Sequence, residues 1–219
     1  MTVAVPPPAT GLPQIPAYPL PTRDELPAVR ATWQLDPARA GLLVHDMQRY
    51  FVRPFAADAA PLQPVVANIA RLIADARGRG IPIFYTAQEV RQDRRDRGLQ
   101  ADLWGPGMSD PQAHRPILDA LAPDPGDHVL VKHRYSAFQR SNLAELLRAR
   151  GRDQLVVCGI YAHIGCLLTT ADAFMRDIAP FFVADAVADF SRAKHDAAVA
   201  YVADVCGVPL VTEQVLEAR

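Results

Sequence analysis

The chain has 219 residues, half of them hydrophobic, with 23 Lys and Arg against 24 Asp and Glu. That is enough to bury a sizeable core and fits one domain best, two at most. A formal net charge of −1 gives no general pull toward nucleic acid or anionic membrane, and no apolar run reaches the roughly 18 residues of a membrane span.

Residues 1–38 hold nine of the twenty prolines. Proline fixes φ and lacks a backbone donor, so this arm is expected to be extended, with its first dozen residues open to disorder. The stretch "IPAYPLPT" carries Tyr18 and Leu20 and is expected to lie over a surface or a partner subunit. The domain proper is expected over 39–219. There "GLLVHD" (41–46) is a continuous apolar run, as in a strand covered on both faces. "PLQPVVANIARLIADARGRG" places Val65, Val66, Ile69, Leu72 and Ile73 at helical spacing and ends near Gly78 and Gly80. "IPIFYTAQ" (81–88) reads as a second strand. Residues 89–127 look irregular, with room for one short helix around "HRPILDAL". Strand "HVLVKHRY", helix "SNLAELLRARG", strand "QLVVCGIY" and a helix through "GCLLTTADAFMRD" follow. Strand "PFFVADAVA", helix "RAKHDAAVAYVADVCG" and strand "VPLVT" close the chain.

Six strands alternating with helices predict an α/β fold, a Rossmann-like three-layer sandwich with a six-stranded parallel sheet and helices on both faces. Active-site residues of such sheets gather beyond the carboxyl ends of the strands. Asp46, Gln88, Lys132, Tyr161 and His163 all fall there. No glycine-rich phosphate fingerprint follows any strand, which leaves a nucleotide reading without support. Six histidines without an H-x-x-x-H pair, and no C-x-x-C, make a dedicated zinc site improbable. Three cysteines form no disulfide framework, and the N-terminus lacks a signal peptide's basic start and apolar centre, so a reducing cytoplasm is expected.

The motifs "LLVHDMQRYF", "YTAQ", "WGPGM", "KHRYSAF", "GRDQLVVCGIYAHIG" and "VADAVADFS" occur in that order. Together they resemble the isochorismatase-type members of the cysteine-hydrolase-like superfamily, collinearly from about Ile15 to Leu216. The free-standing phenazine-pathway hydrolases are the nearest branch, and the siderophore isochorismatase domains are slightly further away. The resemblance implies a homodimer and no cofactor or metal. It also implies hydrolysis of the enolpyruvyl (vinyl) ether of a chorismate-derived small molecule, isochorismate or 2-amino-2-deoxyisochorismate. It places the family's acid on Asp46, its lysine on Lys132 and its substrate-contacting glutamine on Gln88. The loop arginine falls on Arg97, among the neighbours Arg94 and Arg95, the loop tryptophan on Trp104, and the strand-four tyrosine on Tyr161. A cis peptide is implied between Ile160 and Tyr161. Where relatives carry tryptophan after the lysine, this chain has His133.

Vinyl ether hydrolysis needs an acid to protonate the methylene carbon, stabilisation of the resulting cation, and anchors for two carboxylates. Asp46 suits the first need and Arg97 the last, since a guanidinium can bind a carboxylate bidentately. An aspartate of ordinary acidity is protonated about one part in a thousand at pH 7, a penalty of roughly 4 kcal/mol. Lys132 is expected to pair with Asp46 and to hold a substrate oxygen, and Trp104 to wall the pocket. His45 and His163 read as structural.

The amidase members of the superfamily use a cysteine after strand four. Alignment on Asp172 and Ala173 puts that nucleophile on Gly165, a slot expected to leave space for a water and a bulky substrate. Cys166 is then one residue out of register, about 100° around a helix, while Cys158 and Cys206 read as small core residues. A thiol amidase using Cys166 is the first rival reading. A non-catalytic scaffold is the second, weakened by the absence of a carrier motif in the sequence and by the retained Asp46, Lys132 and Gln88.

Overall fold

Every residue of the first strand, β1 (Ala40–His45), is buried, as its unbroken apolar run requires of a strand covered on both faces. The computed structural model describes residues 11–219, so the expectation for the first dozen residues lies almost wholly outside them. After β1 the chain makes α1 (Arg49–Val52), α2 (Leu62–Gly78), β2 (Ile83–Ala87), α3 (Arg94–Arg97) and α4 (Gln100–Trp104). Then come β3 (His128–Val131), α5 (Leu143–Ala149), β4 (Gln154–Ile160), α6 (Leu167–Phe174), β5 (Ala179–Ala188), α7 (Arg192–Tyr201), β6 (Val208–Leu210) and α8 (Thr212–Glu217). One π-helical turn, Ala162–Cys166, leads from β4 into α6.

The six strands form one sheet in the order β3-β2-β1-β4-β5-β6, and every pairing is parallel. The expected architecture is therefore present. Val65, Ile69, Leu72 and Ile73 of α2 line the core on one face. On the other, Leu143 and Leu147 of α5, Ala173 of α6 and Ala198 of α7 pack over Leu43, Leu155 and Phe182. Successive connections run outward from β1 in one direction and from β4 in the other. The crevice between the carboxyl ends of β1 and β4 is thus the topological switch point, where such sheets bind ligands.

Three readings of the chain need correction. The segment "HRPILDAL" contains only a 3-10 turn at Asp119–Leu121, whereas two short helices, α3 and α4, form earlier in the stretch read as irregular. The last strand stops at Leu210, and Thr212 opens α8, with the Thr212 N–H and O–H both donating to the Asp185 carboxylate at 2.7 Å. Strand β3 stops at Val131 instead of running on through "KHRY", and it lies at the sheet edge with Val129 and Val131 exposed. Among the described residues no helix is long and apolar enough to cross a membrane.

The described part of the arm is bound to the domain. Ile15 and Tyr18 are buried, and Ile15 makes a bridge with Phe55. The Tyr18 hydroxyl accepts from the Asp189 N–H at 2.7 Å.

Beside the switch point the backbones of β1 and β4 approach closely at Gly159. Its φ is +114°, and a Cβ there would stand 2.2 Å from the His45 carbonyl oxygen. Both the left-handed conformation and the lack of space demand glycine. We expect Gly159→Ala to lose at least about 3 kcal/mol of stability, from strain plus overpacking. A urea midpoint equal to that of the parent protein would show that this contact does not set the strand spacing.

Candidate active site

Asp46 follows β1 directly, with φ +51°, a left-handed conformation that Asp tolerates better than most side chains. Thr86, on the neighbouring strand β2, holds it there. The Asp46 N–H donates to Thr86 Oγ1 at 3.1 Å, and the Thr86 hydroxyl donates to Asp46 Oδ1 at 2.7 Å. The other carboxyl oxygen, Oδ2, accepts from Lys132 Nζ at 2.5 Å. Lys132 lies just past β3, and its N–H still donates to the Ala87 carbonyl at 2.8 Å, as if the ladder continued. Both members of the pair are about 95% buried. Burial pushes the Asp46 carboxyl up, but the Lys132 ammonium and the hydrogen bonds from Lys132 and Thr86 outweigh it. The net result is a carboxyl held below its ordinary value of 3.8. In the resting protein Asp46 is an anion.

Seven residues were expected at the site: Asp46, Lys132, Gly165, Gln88, Arg97, Trp104 and Tyr161. All seven line one cavity at the carboxyl ends of the strands. Its inner volume of about 50 Å³ is room for a few waters. Gln88 is fixed through its backbone, where Gln48 acts as a substitute strand. The Gln88 N–H donates to Gln48 Oε1 at 2.7 Å, and Gln48 Nε2 donates to the Gln88 carbonyl at 2.9 Å. This leaves the Gln88 side chain to the cavity, where Arg97 Nη1 reaches its Oε1 at 3.4 Å.

Arg97 turns inward from α3 and is buried, while Arg94 is exposed and paired with Asp102 at 2.7 Å. Arg97 Nε donates to the Gly105 carbonyl at 2.6 Å, and a Cβ at Gly107 would lie 2.6 Å from its Nη1. Gly107 of "WGPG" therefore makes room for the guanidinium. Among the described residues no carboxylate pairs with Arg97, and burial alone pulls its pKa down. A buried cation without an anion is poorly compensated until a ligand supplies one. Trp104 Nε1 donates to the Tyr135 hydroxyl at 2.7 Å, and Phe190 packs beside the indole at 6.1 Å between ring centroids.

The peptide between Ile160 and Tyr161 is cis. The Tyr161 hydroxyl donates to the Phe51 carbonyl at 2.5 Å, so its ring and backbone, not its O–H, face the cavity. Cys166 lies outside the cavity lining, fully buried among the apolar residues on the α5–α7 face. Burial pushes its thiol well above the ordinary range, which removes the thiolate a nucleophile needs. Gly165 lines the cavity, but its side-chain slot is not vacant: a Cβ there would stand 2.1 Å from His45 Cε1. The expectation of free space at that position is corrected by the imidazole that fills it. His133 lies outside the lining; its carbonyl accepts from Gln100 Nε2 at 3.1 Å. Among the described residues no three His, Cys, Asp or Glu side chains cluster as metal ligands.

Residues 40–214 match the family model of the isochorismatase domain. The chain belongs to the isochorismatase family. It is 51% identical over 208 residues to the phenazine biosynthesis protein PhzD1 of Pseudomonas aeruginosa, covering 95% of this chain and 100% of that protein. It is 48% identical to the isochorismatase of Bacillus subtilis, over 94% of this chain and 66% of that protein. Among solved structures, a cysteine hydrolase from Pseudomonas syringae superposes with a TM-score of 0.77 at 28% identity, over 87% of this chain and 95% of the other. An N-carbamoylsarcosine amidase from Thermoplasma acidophilum gives 0.68 at 27%, over 80% and 97%. The isochorismatase-family chain thus shares its framework with a cysteine hydrolase and an amidase, and presents glycine and a carboxylate–lysine pair at its cavity.

Four cavity residues, Tyr50, Gln100, Tyr135 and Phe190, had not been assigned from the sequence, nor had Thr86 and Gln48 behind them. Thr86 and Tyr135 sit inside motifs already quoted, "YTAQ" and "KHRYSAF", and alternation along β2 could have pointed Thr86 at Asp46.

Removing one partner of a buried pair leaves an uncompensated charge, so Lys132→Met should cost about 3–5 kcal/mol at pH 7. The sign with pH is fixed by the carboxyl. In the parent protein its folded pKa lies below the unfolded value, so the pair's stabilisation is present above about 3.8 and lost as pH falls through the folded value. Without Lys132, burial dominates and the carboxyl pKa rises, so acidification neutralises the stranded charge. The deficit in urea midpoint should therefore shrink between pH 7 and pH 5. An equal deficit at both would mean that the lysine stabilises by packing alone.

Proposed function

We propose that this isochorismatase-family hydrolase cleaves the enolpyruvyl ether of 2-amino-2-deoxyisochorismate, or of isochorismate, with Asp46 as the general acid. The observation that carries the reading is the single cavity in which a hydrogen-bonded carboxyl, a lysine and a carboxylate-free arginine converge. Identity of 51% to the phenazine protein supports the amino substrate as the first choice.

The carboxyl transfers its proton to the terminal methylene carbon, and the C=C electrons form the new C–H bond. The ether oxygen shares the resulting positive charge, which the Asp46 carboxylate now faces. Water adds to the cationic carbon and loses a proton. The hemiketal then collapses with cleavage of its bond to the ring oxygen, giving pyruvate and the ring alcohol. Arg97 takes one substrate carboxylate, and Lys132 takes a carboxylate or the ether oxygen. Gln88 bonds the ring substituent, Trp104 and Tyr161 wall the ring, and the Gly165 backbone lies beside the reacting end.

The resting anion must first gain a proton. Its depressed pKa makes the penalty at pH 7 greater than about 4 kcal/mol. A dianionic substrate reverses the balance: it draws the Lys132 ammonium toward its own oxygens and adds negative charge beside Asp46, both of which raise the carboxyl's pKa. Arg97 and Trp104, carried on α3 and α4, stand at the cavity the substrate has to enter. We also assign the protein as a homodimer in the cytoplasm. The exposed Val129 and Val131 on the sheet edge support the first, and three free cysteines the second.

Pyruvate release should be measured on both substrates. Asp46→Asn should lower kcat by about 10²–10⁴-fold with KM little changed. Arg97→Gln should raise KM by about 10-fold to 100-fold, the worth of a charged hydrogen bond. A saturated lactyl ether analogue should take up one proton on binding to the parent protein and none on binding to Asp46→Asn. No pyruvate from either substrate would sink the functional reading, and near-normal turnover by Asp46→Asn would remove Asp46 as the acid.

A further inference from the structure

His45 is wholly buried, and the imidazole has an unusual setting. Its Nδ1–H donates to the Ile160 carbonyl at 2.9 Å, the carbonyl of the cis peptide that opens the turn to Gly165. The same nitrogen lies 3.7 Å from Asp46 Oδ2. Its Nε2 is buried without a well-formed hydrogen bond among the described residues, and the Tyr135 backbone is close enough to favour the protonated ring. Burial pushes its pKa down to about 4, and it is neutral at pH 7.

The ring also fills space. A Cβ at Gly165 would stand 2.1 Å from Cε1 and 2.9 Å from both ring nitrogens. The Gly165 φ is not positive, so its backbone does not call for glycine. In a helical turn glycine is a poor choice, and here only the imidazole accounts for it.

We propose that His45 is a positioning residue for the reaction: wedged against Gly165 and tied to the Ile160 carbonyl, it fixes the gap between Asp46 and the turn from Tyr161 to Gly165. By the same occupancy it keeps every side chain, and so any side-chain nucleophile, out of position 165. The role in catalysis rests on the proposed ether hydrolysis, but the occupancy does not. Asp46 is the next residue in the chain, so a tilt of the ring carries directly into the acid. Tyr161 and Gly165 are the cavity wall on the other side.

The test uses the full chain in four variants: His45→Ala, His45→Asn, Gly165→Ala and the double His45→Ala/Gly165→Ala. Urea midpoints and pyruvate release are measured for each. Gly165→Ala should lower the midpoint sharply when His45 is present, and leave it unchanged or higher when His45 is Ala. His45→Ala should lower kcat at least about tenfold with KM within about threefold, as loss of a transition-state alignment does. His45→Asn, whose amide can still donate to the Ile160 carbonyl, should recover much of that kcat at a similar midpoint. The proposal fails if Gly165→Ala costs the same in both backgrounds. It also fails if folded His45→Ala keeps the parent kcat, or if His45→Asn is no better than His45→Ala. If the parent protein releases no pyruvate, the functional reading fails, while the midpoints still decide whether the ring fills the slot.

Discussion

The Asp46–Lys132 pair, 2.5 Å apart and almost wholly buried, is the contact around which the rest of the molecule is arranged. Two charges taken out of water are held only where geometry and further hydrogen bonds are good. That requirement explains much of the surroundings. β1, β2 and β3 must lie side by side in parallel so that Asp46, Thr86 and Lys132 leave their strands at one end of the sheet. Thr86 must be hydroxylated to bond both the Asp46 backbone and its carboxyl, and Asp46 must take a left-handed turn to bring both oxygens to their donors. An apolar core on both faces of the sheet keeps these strands from moving relative to one another.

The pair also defines a chemical tension. On the proposed mechanism the anionic Asp46 is in the wrong state for the first step, and a dianionic substrate is what would complete the arrangement. Arg97 shows the same incompleteness from the opposite sign: it is buried, bonded to a carbonyl and an amide, and without a carboxylate. A protein with one over-satisfied anion and one under-satisfied cation is poised to exchange partners. In the proposed reaction, one ligand that supplies negative charge would settle Arg97 and draw Lys132 away from Asp46 in the same event.

The fold was legible because its signals were local. Continuous apolar runs marked β1 and β4, helical spacing marked α2, and turn residues separated them. The misreadings occurred where tertiary context overrides such signals. α3 and α4 are short, carry four or five residues each, and are shaped by where Arg97 must go; no hydrophobic period marks them. Val129 and Val131 look like buried strand residues, but an edge position is set by sheet order, which periodicity does not encode. Asp46, Gln88, Lys132 and Tyr161 line one cavity because each stands at or just past a strand end, which fixes a side chain's place. Gln48 and Tyr135 escaped notice because their roles run through partners 40 and 31 residues away. His45 was read as structural with no partner named; only the fold brings Gly165 against it.

The packing of His45 against Gly165 also bears on how such a chain could change its trade. A single base change that put a thiol or hydroxyl at residue 165 would meet an imidazole already in the way, and the first product of that mutation would be a poorly folded protein. Removing the ring first would leave a void and a loosened acid. Each route to a covalent mechanism passes through a worse enzyme, so the two positions are expected to change together in descent or not at all. If the ring acts as proposed, steric epistasis between neighbours 120 residues distant in the chain would keep a side-chain nucleophile out of this framework.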